Sequence, residues 1–383
     1  MGIHFTKEEF ANRKSKIINE LKKQGLDALL MFRQESMYWL TGYDTFGFVF
    51  FQCLILTAKG ELVLLTRAPD LRQAQNTSII SDIRIWVDKD KSNPTDKLKN
   101  ILSELSLENS NLGIEYEAYG LTGRNAIRLN SSLKNFATLS DKSELISHFR
   151  AIKSPAEIIY VKKAAELADK AMEAAWKYAR AGVSESKILA EMQSVIFNNG
   201  GDYPANEFII GSGKNALLCR YQSEKRNLSK IDQLSIEWAG TYKHYHSAMF
   251  RTIPIGKIND KQNKMYNACI EALSACEEKL KPGSTAGEVF DIHAKTFDKL
   301  GYKSSRMNAC GYSLGAVFAP NWMDWPMLYT GNPYVLESGN IFFMHMILMD
   351  SFNELAMNLG ETYLVTQNGN ERLGKKKLDL VVL

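Results

Sequence analysis

The segment "SIEWAGTYKHYHSAMFRTIPIG", residues 235–256, decides how this chain is to be read. An apolar run ends on the acidic Glu237, a tight Ala239-Gly240 turn is expected next, and an aromatic, histidine-rich return leads to Arg251-Thr252. Residues two apart on a strand share a face, so Glu237 and alternate residues of the return strand can meet in one pocket. The pattern suits a metal-binding hairpin, yet divalent cations need several oxygen ligands and Glu237 is its single acid. The hairpin therefore raises the question of what chemistry one carboxylate supports.

On the N-terminal side of this hairpin, Ser154 can cap a helix with Pro155 at its first position and Glu157 at the capping-box position. That predicts a long amphipathic helix to about residue 180, with a second helix from Ser184. On the other side, helices are expected over 261–281 and 285–300, the latter capped by Thr285 and stopped by Gly301. "NEFIIGSG", "GNIFFMHMILMD" and "LGETYLVTQNG" read as further strands. Two helix pairs, each followed by hairpins, predict an α+β domain over 151–383. Before it, a helix over 6–25 and the runs "DALLMF", "FQCLILTA", "ELVLLT", "RIWVD" and "NLGIEY" alternate with helical segments. This predicts an α/β domain on a mixed sheet over 1–150.

The 383 residues suffice for two such domains. With 45% apolar and 23% charged residues, the composition is that of a globular protein. The net charge of +4 is spread without a basic tract, so no nucleic-acid partner is expected. Five scattered cysteines without CxxC spacing argue against a disulfide framework or zinc knuckle and fit a reducing compartment. Residues 1–17 are polar and charged and lack the apolar core of a signal peptide, and no stretch of about 18 apolar residues occurs. A cytoplasmic protein without membrane partners is the expectation.

"SPAEIIYVKKAAELADKAM", "FIIGSGKNALLCRY", "DQLSIEWAGTYKHYHSAMFRT", "KPGSTAGEVFD", "GYSLG" and "LVTQNG" occur in the order of the pita-bread superfamily of creatinase and the proline peptidases, which the whole chain resembles. The resemblance implies a creatinase-like N-terminal domain, a pita-bread catalytic domain and a homodimer. The superfamily's peptidases hold two metal ions with two Asp, one His and two Glu. Those positions carry Glu237, Ala248, Tyr312, His345 and Gly360 here, so no metal or other cofactor is expected. Creatinase works without metal, but its catalytic His position is Arg220 and its carboxylate position is His345, so creatine fits poorly. "PANEFIIGSG", "LLCRY", "ACGYSLG" and "WMDWPM" resemble the ectoine hydrolase branch, which opens a cyclic amidine.

A small zwitterionic amidine needs an anion beside the amidine carbon, aromatic faces for its cation and a donor for its carboxylate. The resemblance implies Glu237 as nucleophile, with general base on water as the alternative. His345 lies in so apolar a strand that it reads either as a core histidine or, by the resemblance, as a proton shuttle facing the old metal cavity. Tyr312 can donate to a developing tetrahedral centre. On the return strand, His244 and His246 face one side and Tyr245 the other, and the histidine pair is favoured as the side reaching substrate. Trp322 and Trp325, with Tyr329, suit a cation-π wall in a proline-containing loop. Arg220 can clamp a carboxylate or form a structural salt bridge. Phe46, in the aromatic run 43–51, can line a pocket, although most of that run reads as a buried strand.

Overall fold

The computed structural model describes residues 2–383, which divide into two compact units, one ending at Arg150 and the other spanning Ala151–Leu383. The first contains α1 (Lys7–Lys23), β1 (Ala28–Met31), α2 (Gln34–Thr41), β2 (Cys53–Thr57), β3 (Leu62–Arg67), α3 (Leu71–Thr77) and β4 (Asp82–Trp86). It continues through α4 (Pro94–Glu104), β5 (Asn111–Ile114), α5 (Gly123–Leu133), β6 (Thr138–Asp141) and α6 (Leu145–Ala151). Thr6 caps α1, its side chain accepting from Glu9 N at 3.2 Å, and Phe10, Ile17 and Leu21 form the buried face. The six strands run in the order β4-β3-β2-β1-β5-β6. Pairs β1/β2 and β2/β3 are antiparallel and the others parallel, the mixed sheet that the alternation of elements predicted.

The run 43–51 differs from expectation. It is a loop with one 3-10 turn at Gly47–Val49, and Phe46, Val49 and Phe50 are exposed. No period of two runs through it: Gly47 and Phe48 are buried in succession, so aromatic content alone suggested a strand.

The second unit opens with α7 (Pro155–Tyr178) and α8 (Glu185–Asn198). A complete capping box starts α7: Ser154 Oγ accepts from Glu157 N at 3.4 Å, and Glu157 Oε2 accepts from Ser154 N at 2.9 Å. Then come β7 (Ile209–Ser212), β8 (Asp232–Tyr242), β9 (Tyr245–Ile255), α9 (Asp260–Lys279) and α10 (Ala286–Lys299). The unit ends with β10 (Gly311–Ser313), β11 (Asp324–Leu328), β12 (Ile341–Asp350), β13 (Leu355–Thr366) and β14 (Gly369–Arg372). Strand β11 lies where a proline-containing loop was expected. The sheet order is β11-β10-β12-β13-β9-β8-β7, with β14 beside β13. Its two halves meet at β9 and β13, where only Leu359↔Arg251 and Gly360↔Phe250 are paired.

The deciding hairpin turns later than its Ala-Gly pair suggested. Strand β8 runs straight through Ala239 and Gly240, and the turn is Lys243-His244, both left-handed at φ 50° and 64°. Two central residues with positive φ make the tight connection whose twist matches the flanking strands. Gly240 serves packing: a Cβ there would lie 2.0 Å from Ala164 O of α7. Trp238 on the same face donates from Nε1 to Ala168 O at 3.0 Å. Helix α7 therefore covers the even-numbered face of β8, and Glu237 is left on the opposite face.

Candidate active site

Strand pairing fixes which side chains share that face. Glu237 pairs with Phe250, Phe250 with Gly360, and Gly360 with His345, one continuous row across β8, β9, β13 and β12. Directly opposite residues of an antiparallel pair project to the same side, as do neighbours two along the strand. Ala248, His246, Phe343 and, through its pairing with Phe343, Tyr312 join the same face. The five positions occupied by metal ligands in the superfamily are therefore gathered here as Glu237, Ala248, Tyr312, His345 and Gly360.

A directed chain of hydrogen bonds organises the centre. The indole Nε1 of Trp322 donates to Tyr312 Oη at 2.9 Å, and Tyr312 Oη donates to Glu237 Oε1 at 3.0 Å. A phenol has one proton. With Trp322 supplying a hydrogen to the Tyr312 oxygen, the tyrosine's own proton goes to Glu237, whose Oε2 stays open for a ligand. Burial raises the Glu237 carboxyl from 4.5 to about 7, against the lowering effects of Tyr312 and the Arg220 charge. Tyr312 is itself held well above the ordinary tyrosine value by burial and by the neighbouring carboxylate. Arg220 is exposed, donates from Nη1 to Cys219 O at 2.6 Å, and its positive charge reaches both Glu237 and Tyr312.

His345 stands beside this chain, its ring 5.7 Å from that of Tyr312 and 5.5 Å from that of Phe343. Its Nδ1 is buried without a partner, and desolvation lowers its pKa to about 4. It is neutral at physiological pH and suited to relaying a proton rather than to holding a standing charge.

Other expected contributors are placed differently. His246 accepts from Ala205 N at Nε2 (2.9 Å), and its Nδ1 lies 2.7 Å from His244 O. Both ring nitrogens are thus engaged by backbone, and burial lowers its pKa to about 3, so neither is left for substrate. His244 lies in the turn, outside the strand alternation, and stacks on Phe318 at 4.1 Å. Trp322 is only 1% exposed, so it works through its N–H and presents no open aromatic wall. Trp325 packs edge-on against Tyr334 at 5.0 Å, and Tyr329 is exposed. Phe46 belongs to the N-terminal unit, with its ring edge-on to Phe48 at 5.7 Å. Sequence reasoning missed Phe343 within the centre and Asn206, whose Oδ1 accepts from Trp322 N at 3.1 Å and so helps seat the indole. "PANEF" was a visible signal for Asn206; Phe343 was hidden in an apolar run.

The donor set does not fit a dinuclear metal centre. Glu237 is the one carboxylate at the five positions, and no group of three His, Cys, Asp or Glu side chains able to hold a metal ion occurs among the described residues. At Gly360 a Cβ would lie 2.6 Å from Phe343 Cζ, so that position has no room for a ligating side chain. A cleft of about 890 Å³ in the N-terminal unit is lined by residues such as Tyr116, Asp141 and His148, none of which belongs to this face.

With this fold and face, the chain belongs to metallopeptidase family M24, whose model matches residues 160–367, behind a creatinase/prolidase N-terminal domain at 13–152. Ectoine hydrolase of Halomonas elongata is 28% identical over 391 positions, covering 97% of each chain. Xaa-Pro dipeptidase of Pyrococcus horikoshii is 27% identical over 372 positions, covering 96% of this chain and 97% of the other. The crystal structure of the prolidase from Pyrococcus horikoshii superposes with a TM-score of 0.84 at 26% identity, over 97% of this chain and all of the other. No helix among the described residues is long and apolar enough to cross a membrane.

Proposed function

We propose that this M24-family hydrolase acts without metal on a C–N bond of a small cyclic amidine, ectoine first and 5-hydroxyectoine second. The product would be N-acetyl-2,4-diaminobutyrate. The observation that carries the reading is the lone carboxylate Glu237, with Oε1 held by Tyr312 and Oε2 open. The likeness to ectoine hydrolase from Halomonas elongata supports it.

A cationic amidinium beside Glu237 draws the carboxyl, otherwise near half-ionised at neutral pH, into its anionic form. Oε2 then bonds to the amidinium carbon while the C=N π pair moves onto nitrogen. Expulsion of one ring nitrogen breaks the C–N bond. That nitrogen takes up a proton, the other gives one up, and His345 is placed to relay it. Water attacks the resulting imidate ester, the Glu237 carboxylate leaves with its bonding pair, and the amide carries the water oxygen. The same carboxylate acting as general base on water gives the same product. Tyr312, its proton committed to Glu237, positions and polarises the acid. Arg220 supplies the charge for the substrate carboxylate.

The likeness to Xaa-Pro dipeptidase from Pyrococcus horikoshii, similar in extent, supports a second reading as a proline-specific peptidase. The donor set disfavours it, because one carboxylate cannot hold and bridge two cations. Purified protein is incubated with ectoine and with Xaa-Pro dipeptides, and products are read by mass spectrometry. Ring-opened ectoine with intact dipeptides is expected; metal-dependent dipeptide cleavage alone overturns the reading.

A further inference from the structure

Phe343 and Gly360 interlock at the seam of the sheet. A Cβ on residue 360 would meet Phe343 Cζ at 2.6 Å, Phe343 Cε2 at 2.7 Å and Phe250 Cβ at 2.9 Å, all closer than real Cβ contacts. Phe343 is fully buried, so its ring cannot swing into solvent to make room. The ring also closes a triangle with the two site rings: it is 5.4 Å from Tyr312 and 5.5 Å from His345, which are 5.7 Å from each other. Aromatic rings at these separations favour defined tilted arrangements. The backbone pairing Gly360↔Phe250 is one of two that join the halves of the sheet, so the ring sits over the junction between Glu237's half and His345's half.

We propose that Phe343 is a positioning residue of the site. Its ring, seated in the space that Gly360 leaves by lacking a side chain, holds Tyr312 on Glu237 and His345 beside it. By the same placement it bars any ligating side chain from position 360. The proposal rests on the reading of Glu237 and Tyr312 as the reacting centre.

Three measurements test it. In urea denaturation, Gly360→Ala lowers the unfolding midpoint of the wild-type protein, and most of that loss disappears in a Phe343→Ala background, where only the Phe250 contact remains. Equal losses in both backgrounds overturn the interlock. The Trp322 indole N–H resonance, assigned by its disappearance in Trp322→Phe, reports the bond to Tyr312. It shifts in Phe343→Leu, which keeps apolar volume without the ring, and an unmoved resonance overturns the positioning role. With ectoine as probe, Phe343→Leu lowers kcat about 10²-fold with KM little changed, the size expected from misplacing a reacting group. Adding it to Tyr312→Phe costs little more, whereas multiplied losses overturn action through Tyr312. Should the wild-type protein leave ectoine untouched, the functional reading falls while the denaturation cycle and the resonance still decide this one.

Discussion

Replacing Glu237 by glutamine should separate the stability of the site from its activity. Burial raises the carboxyl from 4.5 to about 7, so the folded protein holds a proton that the unfolded chain releases above pH 4.5. For a carboxyl raised in the fold, the associated stability is fully present below pH 4.5 and is lost as pH rises through 7. A rise of that size corresponds to about 3 kcal/mol at high pH, a ceiling because Glu237 keeps some solvent contact. In Glu237→Gln the side chain stays neutral at every pH, and its amide oxygen still accepts from Tyr312. The variant should match wild type in urea unfolding at pH 4.5 and become more stable by up to about 3 kcal/mol at pH 9. Turnover of ectoine should fall by several orders of magnitude. Histidine titrations are common to both proteins and cancel in the difference. A stability gap independent of pH, or near-normal turnover by the variant, would refute the reasoning.

His293 offers a test of the opposite sign. It is buried between Phe290 (5.5 Å) and Phe297 (4.9 Å), both ring nitrogens lack partners, and burial lowers its pKa from 6.5 to about 3. A histidine depressed in the fold loses stability as pH falls below 6.5, because the unfolded chain takes up the proton first. His293→Phe should raise Tm at pH 7 and flatten its decline between pH 6.5 and 4; an unchanged slope contradicts this. Purified protein should carry far less than one metal per chain by elemental analysis, and ectoine turnover should survive chelator. Stoichiometric metal with chelator-sensitive turnover would restore the peptidase reading. Light scattering should report a homodimer, and deletion of residues 1–150 should abolish activity even where the remainder folds; an active isolated second unit would contradict that.

Much of the fold was legible because it follows from short-range signals. Thr6, Ser154 and Thr285 cap helices as their side-chain chemistry dictates, and the apolar runs of β8, β9, β12 and β13 leave little choice of conformation. The turn of the deciding hairpin was misplaced because Gly240 looked like a turn glycine. Its true constraint is the backbone of Ala164, distant in sequence and invisible in it. The run 43–51 and strand β11 were misread for a related reason: each takes its conformation from neighbours and not from its own pattern.

The candidate site divides in the same way. Ordered motifs bring Glu237, Tyr312 and His345 to one face, and strand pairing gathers them there. Residue types do not reveal which way the hydrogens run. Tyr312 has a single proton and an oxygen that also accepts, so its role depends on the direction of a bond from Trp322, ten residues further along the chain. Because Trp322 can only donate, Tyr312 accepts from the indole and gives its own single proton to Glu237. The indole expected to form an aromatic wall instead sets the direction of the chain ending at the carboxylate. His246 was displaced from the substrate list by the same logic, since two backbone groups consume both its nitrogens. With Phe343 in the space that Gly360 leaves and Tyr312 committed to Oε1, the open Oε2 of Glu237 is left as the point where a small cation can meet a negative charge.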